Sequence, residues 1–359
     1  MKKKAMIAMS GGVDSSVAAL LTQRDGYECM GVTMKLYDGV TAGEKTCCTA
    51  DDAQDAKSVC VRLGMPHYVY NFMEDFDRQV IRRFVETYEA GDTPNPCIDC
   101  NRYLKFSRLW DRAAVLGCDC IVTGHYARIE RREDGRWLLK KGLNEDKDQS
   151  YVLYMLTQEE LARTRFPLGG MSKDAVRALA AESGLLNAQK HDSQDICFVP
   201  DGDYGAFIRD YTGREYPEGD FVDLDTGKVL GRHKGQICYT IGQRRGLGVS
   251  GGRKLYVCRK NMEANTVALG DNDRLFSRTL RANNINLIPF DRLDEPLRCK
   301  ARIRYKHTEQ PATVTQTGPD ELTVVFDEPQ RAITTGQAVV LYDGDTVLGG
   351  GTIFSTEDI

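Results

Sequence analysis

A short apolar run, Ala5 to Met9, breaks directly into Ser10-Gly11-Gly12-Val13-Asp14-Ser15-Ser16, and a helical pattern takes over from Val13 to Gln23. Few openings restrict a fold as strongly, because a strand that passes through small residues into a helix lays that helix back across a parallel neighbour. The apolar run Cys29 to Met34 supplies the neighbour. The rhythm then repeats with a helix through Ala50 to Leu63, a strand at His67 to Phe72, a helix from Phe76 to Glu89 and a strand at Cys120 to Thr123. This alternation predicts an α/β fold with a doubly wound parallel sheet. The helix from Phe76 sets Val80, Ile81, Phe84, Val85 and Tyr88 on one face, and Gly91, Asp92 and Pro94 stop it.

From about Tyr204 the pattern shifts to short alternating segments with frequent glycine, such as Lys234 to Ile241 and Arg253 to Arg259, so strands are expected to replace helices. Further strand-like runs, Ala301 to Tyr305, Ala312 to Gln316, Leu322 to Phe326 and Ala338 to Tyr342, are spaced by turns in the manner of a small barrel. The expected division is a nucleotide-binding domain over 1–203, a small β-rich domain over 204–271 and a C-terminal β-barrel over 272–359. A chain of 359 residues with 41% apolar content is long enough for several cores. Neither an internal repeat nor a low-complexity tract interrupts it.

The 48 basic and 52 acidic side chains nearly balance, so no global positive field draws in a polyanion and any RNA contact must rest on local patches. Arg244, Arg245, Arg253, Lys254, Arg259 and Lys260 form one such cluster, and Arg302, Arg304 and Lys306 a second, against the plain reading of each as a solvated basic face. The basic start, Met1 to Lys4, precedes an apolar stretch too short for a signal sequence, and no run approaches the roughly 20 apolar residues of a membrane span. A cytoplasmic protein with no membrane partner is expected. In a reducing compartment the 12 cysteines point to thiol chemistry rather than a disulfide framework. Cys29, Cys60, Cys118, Cys120, Cys238, Cys258 and Cys299 sit in apolar runs and read as inert core thiols, while Cys47 and Cys48 take no assignment.

The glycine- and serine-rich loop after the first strand is a phosphate site by its chemistry. Glycines let backbone amides approach an anion, hydroxyls add donors, and the helix dipole adds positive potential. The Gly-Lys-Ser/Thr ending of a Walker A loop is missing. The loop resembles the PP-loop of ATP pyrophosphatases, which implies cleavage between the α and β phosphates and adenylylation of a substrate oxygen. Asp14 in such a place would repel phosphate, which points to a role beside Mg²⁺.

Two further segments carry cysteines. Thr93-Pro94-Asn95-Pro96-Cys97-Ile98-Asp99-Cys100-Asn101 reads as a rigid loop fixed by two prolines, and His191-Asp192-Ser193-Gln194-Asp195-Ile196-Cys197-Phe198-Val199 sets a second thiol far downstream. If the fold joins them, one thiol is able to carry sulfur and the other to resolve it. Cys97 and Cys100 have no second C-x-x-C at zinc spacing, yet with Cys197 they offer three thiolates, enough for an iron–sulfur cluster with one open iron.

With the segment Thr93 to Phe106, Thr123-Gly124-His125-Tyr126-Ala127, Lys147-Asp148-Gln149-Ser150-Tyr151, Ser193 to Phe198, Gly231 to Gly248 and Arg302-Ile303-Arg304-Tyr305, the chain resembles the tRNA-specific 2-thiouridylase (MnmA) family from end to end. The resemblance implies ATP-dependent conversion of the wobble uridine of tRNA to 2-thiouridine, on tRNAs of the Lys, Glu and Gln type. A cysteine desulfurase or relay protein would donate the sulfur. By motif, Ala8, Met9, Ser10, Gly11, Gly12, Val13, Asp14, Ser15, Met34 and Gly124 would bind ATP. Asn95, Pro96 and Cys97 would surround the target base, Cys100 would be the nucleophile and Cys197 the persulfide carrier, the two closing a disulfide during turnover. His125, Lys147, Asp148, Gln149, Arg304, Tyr305 and Gln337 would touch tRNA. Cys97 departs from the family, where many members have aspartate. Asp99 is one candidate to replace it, and the C-x-x-C is otherwise the mark of a [4Fe-4S] version of the site. The rival readings are another adenylating ligase on the same loop, as in argininosuccinate, NAD or lysidine synthesis, and an RNA-binding protein with a decayed nucleotide site. The ligases leave Cys100 and Cys197 without a task, and a decayed site would show a damaged loop, whereas this one is intact.

Overall fold

The computed structural model describes residues 2–37, 50–185, 187, 190, 196–249 and 252–356; Cys47, Cys48 and His191 to Asp195 lie outside them. The chain opens with β1 (Lys4–Ala8), α1 (Val13–Arg24), β2 (Glu28–Lys35), α2 (Ala50–Arg62) and β3 (His67–Asn71). It continues through α3 (Met73–Phe76), α4 (Arg82–Glu89), α5 (Pro96–Asp99), α6 (Leu109–Val115) and β4 (Cys120–Val122), then a hairpin of β5 (Ala127–Arg131) and β6 (Trp137–Lys141). Next come α7 (Gln158–Ala162), β7 (Thr164–Arg165), α8 (Lys173–Glu182) and α9 (Tyr204–Thr212).

Five of these strands form a parallel sheet in the order β3-β2-β1-β4-β7. Alternate residues of β1 feed opposite faces. Met6 enters a core with Phe76, Phe84 and Leu104, while Ala5 and Ile7 enter another with Val17, Val59 and Val176. Helices cover both faces, which is why β1 and β4 read as unbroken apolar runs.

Several sequence expectations are corrected here. The Thr93 to Asn101 segment is helical from Pro96, because proline at the first helical position has the right φ and lacks only an amide that would be unbonded anyway. From Cys100 to Arg108 the winding loosens into a π-helix, as it also does from Asp77 to Ile81 inside the expected helix before it. The switch to strands at Tyr204 is likewise delayed by α9, which Asp203 caps by accepting from the Ala206 amide and Gly213 ends in a left-handed conformation. Lys234 to Ile241 holds a short 3-10 turn, Gln236–Cys238, where Gly235 takes φ +98.

The strands β8 (Gly219–Asp223), β9 (Val229–His233), β10 (Tyr256–Asn261) and β11 (Thr266–Gly270) make a small sheet around Phe221, Tyr239, Val257 and Leu269. Then β12 (Phe276–Leu287), β13 (Leu297–Arg302), β14 (Gln310–Gly318), β15 (Glu321–Arg331), β16 (Ala338–Asp343) and β17 (Thr346–Thr356) form a barrel that the β12–β17 pairing closes. The early hairpin joins this barrel through β6, with Leu139 opposite Val347. The first domain is thus stitched to the last by backbone hydrogen bonds, a link no local pattern signals.

The Gly349-Gly350-Gly351 run marks where β17 squeezes between β12 and β16. A methyl group at Gly350 would run into the Val339 carbonyl oxygen and stand 2.9 Å from the Tyr154 ring. Gly350→Ala is therefore expected to cost about 2 kcal/mol or more, read by chemical denaturation, because backbone must move to accept it. A loss under about 0.5 kcal/mol would mean that the barrel is looser than described.

Candidate active site

The order of the sheet turns at β1, so the crevice between the carboxyl ends of β1 and β4 is where an α/β sheet binds its ligand. The glycine loop occupies it. Gly11 adopts φ +74 and packs so closely on α2 that a Cβ would lie 2.8 Å from the Asp52 Cα. Ser15 Oγ donates to the Gly12 carbonyl at 3.0 Å and accepts from the Ser10 amide at 3.2 Å, and Ser16 Oγ donates to the same carbonyl at 3.0 Å. Buried Asn187 donates from Nδ2 to the Gly11 carbonyl at 2.9 Å and to Ser16 Oγ at 2.8 Å. The loop backbone is thereby fixed before any anion arrives, and the first-turn amides of α1 keep the directions a phosphate needs. Gly124 backs the loop so tightly that a side chain there would stand 2.8 Å from the Ser15 nitrogen.

Asp14 is engaged on both oxygens. Lys173 Nζ donates to Oδ1 and Oδ2 at 2.8 Å each, and the Tyr126 hydroxyl donates to Oδ1 at 2.8 Å.

The cysteines reach the same crevice from two other directions. A cavity of about 320 Å³ is lined by Ala8, Met9, Ser10, Asp14, Ser15, Met34, Gly124 and Gln149, and also by Pro96, Cys97, Cys100, His125 and Cys197. Cys100 is 9% exposed, Cys97 is exposed and Cys197 half-buried. Cys197 is held by its neighbours: the Tyr37 hydroxyl donates to its carbonyl at 2.6 Å, and Phe198 packs edge-on against Phe76 and Phe84 at 5.7 and 5.2 Å. The π-helix adds a cation. Five α-helical residues rotate a side chain about 140° away, whereas π winding brings residue i+5 back over residue i, and Lys105 lines the cavity with Cys100.

His125 is 8% exposed, packed against Phe106 and Phe166, with Nδ1 2.6 Å from Thr123 Oγ1. Burial, and then the nearby Lys105 charge, hold its imidazole well below the usual histidine range, so it is neutral at pH 7. Asp99 does not line the cavity. It faces Arg83 at 3.6 Å, and burial raises its carboxyl above the ordinary range, so it does not take the place of an aspartate at position 97. Among the described residues no group of three or more His, Cys, Asp or Glu side chains is arranged to hold a metal ion. Of the seven thiols read as inert, burial raises Cys118 above the ordinary range and pushes Cys29, Cys120 and Cys258 up to about 11 and Cys60 and Cys299 up to about 12, while Cys238 is half-buried and accepts from Arg209 at 3.3 Å.

The remaining residues divide into those near the cavity mouth and those turned inward. Gln337 Nε2 donates to the Thr93 and Pro94 carbonyls at 2.9 and 3.0 Å, docking the barrel on the loop that leads to Cys97. Tyr305 is 39% exposed and donates to the Asp148 carbonyl at 3.2 Å, and Gln149 Oε1 accepts from the Tyr126 amide at 3.0 Å. Lys147 is half-buried, and Arg304, also half-buried, donates to the Arg331 carbonyl at 3.0 Å. The Asp148 carboxylate is internal, accepting from the Gly142 and Ser150 amides and the Ser150 hydroxyl and facing Arg302 at 3.6 Å. In the basic clusters Arg253 pairs with Asp223 and Asp271, and Arg302 with Glu309, while burial lowers Lys260 to about 8; Arg244, Arg245, Lys254, Arg259 and Lys306 stay exposed. Sequence reasoning missed Lys105, Lys173 and Asn187. Lys105 stood inside a quoted motif, but nothing local marks the other two.

Residues 3–201 match a family model described as the tRNA methyl transferase HUP domain, 205–271 one described as its PRC-barrel domain, and 277–353 the aminomethyltransferase beta-barrel domain. The chain is 50% identical over 356 residues to the tRNA-specific 2-thiouridylase MnmA of Clostridioides difficile, covering 98% of each. It is 50% identical over 357 residues to that of Carboxydothermus hydrogenoformans, covering 98% of each. Against that of Acetivibrio thermocellus the identity is 48% over 357 residues, covering 98% and 99%.

Two outcomes follow from this geometry. Asp148→Ala removes the acceptor of the buried Gly142 and Ser150 amides while Arg302 keeps Glu309, and should lower stability by about 2 kcal/mol in denaturant unfolding; weaker tRNA binding at unchanged stability would show instead that the carboxylate faces outward. The folded His125 favours its neutral form, so its stabilisation is complete above pH 6.5 and is lost as pH falls below it. His125→Asn should flatten the fall in unfolding free energy between pH 6.5 and about 5, and an unchanged slope would put the imidazole in water.

Proposed function

The chain belongs to the family of tRNA-specific 2-thiouridylases, and on that premise we propose how its own residues perform the reaction. It is a PP-loop sulfurtransferase that thiolates a tRNA uridine. The observation that carries the assignment of roles is the single cavity in which the phosphate loop meets Cys100 and Cys197, residues that lie far apart in sequence.

A uridine C2 carbonyl is a poor electrophile with no leaving group. The loop residues Ala8 to Ser15, with Met34 and Gly124, bind ATP so that the C2 oxygen attacks the α-phosphate and pyrophosphate departs against the α1 amides. The terminal sulfur of a persulfide on Cys197 attacks C2 and expels AMP. Cys100 thiolate next attacks the Cys197 sulfur, the sulfur–sulfur bond breaks toward the base as 2-thiouridine, and a Cys100–Cys197 disulfide remains for a thiol reductant to open. Lys105 stands where anionic sulfur and adenylate both pass, and neutral His125 adds no charge that would trap either.

Mg²⁺ would accompany ATP through the phosphates. In the arrangement described, Asp14 already has both oxygens engaged, so the metal rests mainly on nucleotide and water. The wobble uridine leaves its stack, which costs little in an anticodon loop, and enters beside Asn95, Pro96 and Cys97. The barrel side chains Tyr305 and Gln337 flank this entrance, with Lys147, Arg304, Arg244 and Arg245 available to phosphates. In this scheme residues 1–203 perform the chemistry, and 204–271 and 272–359 hold the RNA. The substrates are tRNAs of the Lys, Glu and Gln type, the sulfur comes from a cysteine desulfurase or a relay protein, and the reaction runs in the cytoplasm. Among the described residues no helix is long and apolar enough to cross a membrane.

The test measures 2-thiouridine in an unmodified tRNA transcript after anaerobic incubation with enzyme, ATP, Mg²⁺ and a persulfide donor. Metal-free enzyme should thiolate, and Cys100→Ser and Cys197→Ser should each fall by about 100-fold or more. Activity appearing only after reconstitution with iron and sulfide would replace the persulfide relay with a cluster.

A further inference from the structure

A carboxylate is a poor resident for a phosphate site, and Asp14 lines the cavity within the loop that would grip ATP. Its counter-charge comes from a residue placed at a disadvantage. Lys173 is the first residue of α8, a ten-residue helix whose Ser172 cap accepts from the Ala175 amide at 3.2 Å. A positive charge at a helix N-terminus opposes the dipole, and at 6% exposure the ammonium has also lost most of its water. Helix stability alone would not select lysine there. What offsets both costs is the two-oxygen contact with Asp14 at 2.8 Å, supported by the Tyr126 hydroxyl at 2.8 Å and by the Tyr126 ring, whose centroid lies 6.0 Å from Nζ.

Lys173 does not itself line the cavity, whereas Asp14 does. The lysine stands behind the carboxylate, so its effect on a ligand passes through Asp14. Helices α1 and α8 pack against each other, which fixes the distance over which it acts.

We propose that Lys173 is a positioning residue that neutralises Asp14 from behind, so that the loop accepts polyphosphate while keeping a carboxylate in place; this rests on the reading of the loop as an ATP site. Without the ammonium, Asp14 presents a full negative charge to the incoming phosphates across a low-dielectric cleft. With it, the pair is close to neutral and the α1 amides dominate. An aspartate in the loop is then compatible with ATP only while a cation stands behind it.

The experiment measures equilibrium binding of metal-free ATP and of adenosine, which carries no phosphate, to the full-length protein and to Lys173→Met, Asp14→Asn and the double variant. Lys173→Met should weaken ATP about tenfold or more and leave adenosine within about twofold. Removing the repelling charge as well, in the double variant, should bring ATP back to within about threefold of wild type, and Asp14→Asn alone should bind ATP at least as tightly as wild type. Equal losses for ATP and adenosine, or a double variant that stays about tenfold weak, would reduce Lys173 to a brace of the fold and overturn the proposal. Should Lys173→Met fail to fold, the double variant, which leaves no buried charge alone, decides by the same criterion. A wild-type protein that does not bind ATP would instead bring down the nucleotide reading, and this inference with it.

Discussion

Everything in the site depends on the packing of a backbone with no side chain. Gly11 sits against the backbone of α2, Gly124 against Asp14 and Ser15, and neither position has room for a methyl group. These contacts draw the ends of β1 and β4 and the start of α2 together, so that the first turn of α1 points its amides into the crevice where the strand order turns. A helix N-terminus is a weak anion site when its loop moves. Here Ser15, Ser16 and Asn187 hold the carbonyls of Gly11 and Gly12, and the amides are committed to their direction before a phosphate is present.

The thiols are held by a different kind of force. The position of Cys197 is set by an aromatic cluster in which Phe198 meets Phe76 and Phe84 edge to face and Phe207 at a tilt, with Tyr37 holding the carbonyl. The loop before Cys97 is held from outside, by the barrel: the Thr93 amide donates to the Thr335 carbonyl at 2.9 Å, Gln337 reaches two further carbonyls, and Asp92 accepts from the Thr335 hydroxyl. A residue read from sequence as touching RNA is thus also a part of the frame. The same holds for Asp148, whose carboxylate ties the hairpin segment to Arg302 of the barrel. Motif residues that cluster near a substrate often serve by fixing one another.

What the sequence made legible was whatever is encoded locally. The β1 to α1 turn, the parallel rhythm and most of the barrel strands rest on neighbours within a few residues and took the expected form, whereas of the run Ala301 to Tyr305 only the first two residues lie in a strand, β13. Asp203 and Gly213 are local signals for the start and stop of α9, set against the glycine-rich, strand-like stretch beyond them. Lys173 and Asn187 were silent for the opposite reason. Lysine at a helix start and asparagine after one look like solvent residues until the chain folds them onto Asp14 and Gly11, 159 and 176 positions away. The pairing of Leu139 with Val347 is invisible for the same cause.

The π-helix at Cys100 to Arg108 shows how far a small departure from regular winding matters. Read as an ordinary α-helix, the segment would turn Lys105 well away from Cys100, and a cavity holding three thiols would have no such cation beside them. Such winding is rare, and propensity alone gives no reason to prefer it. It persists because packing fixes it: Pro96 and the barrel-docked loop hold the start, Leu104 and Phe106 are fully buried within it, and Leu109 is fully buried just after it. Asn101 donates to the Val152 carbonyl at 2.9 Å and locks the first turn to the adjoining segment. Tertiary packing therefore outweighs the local preference, and the residues it brings onto one face are a nucleophilic thiol and a positive charge. A net-acidic protein that handles polyanions needs its cations placed rather than abundant, and Lys105 and Lys173 are placed by long-range contacts instead of by surface charge.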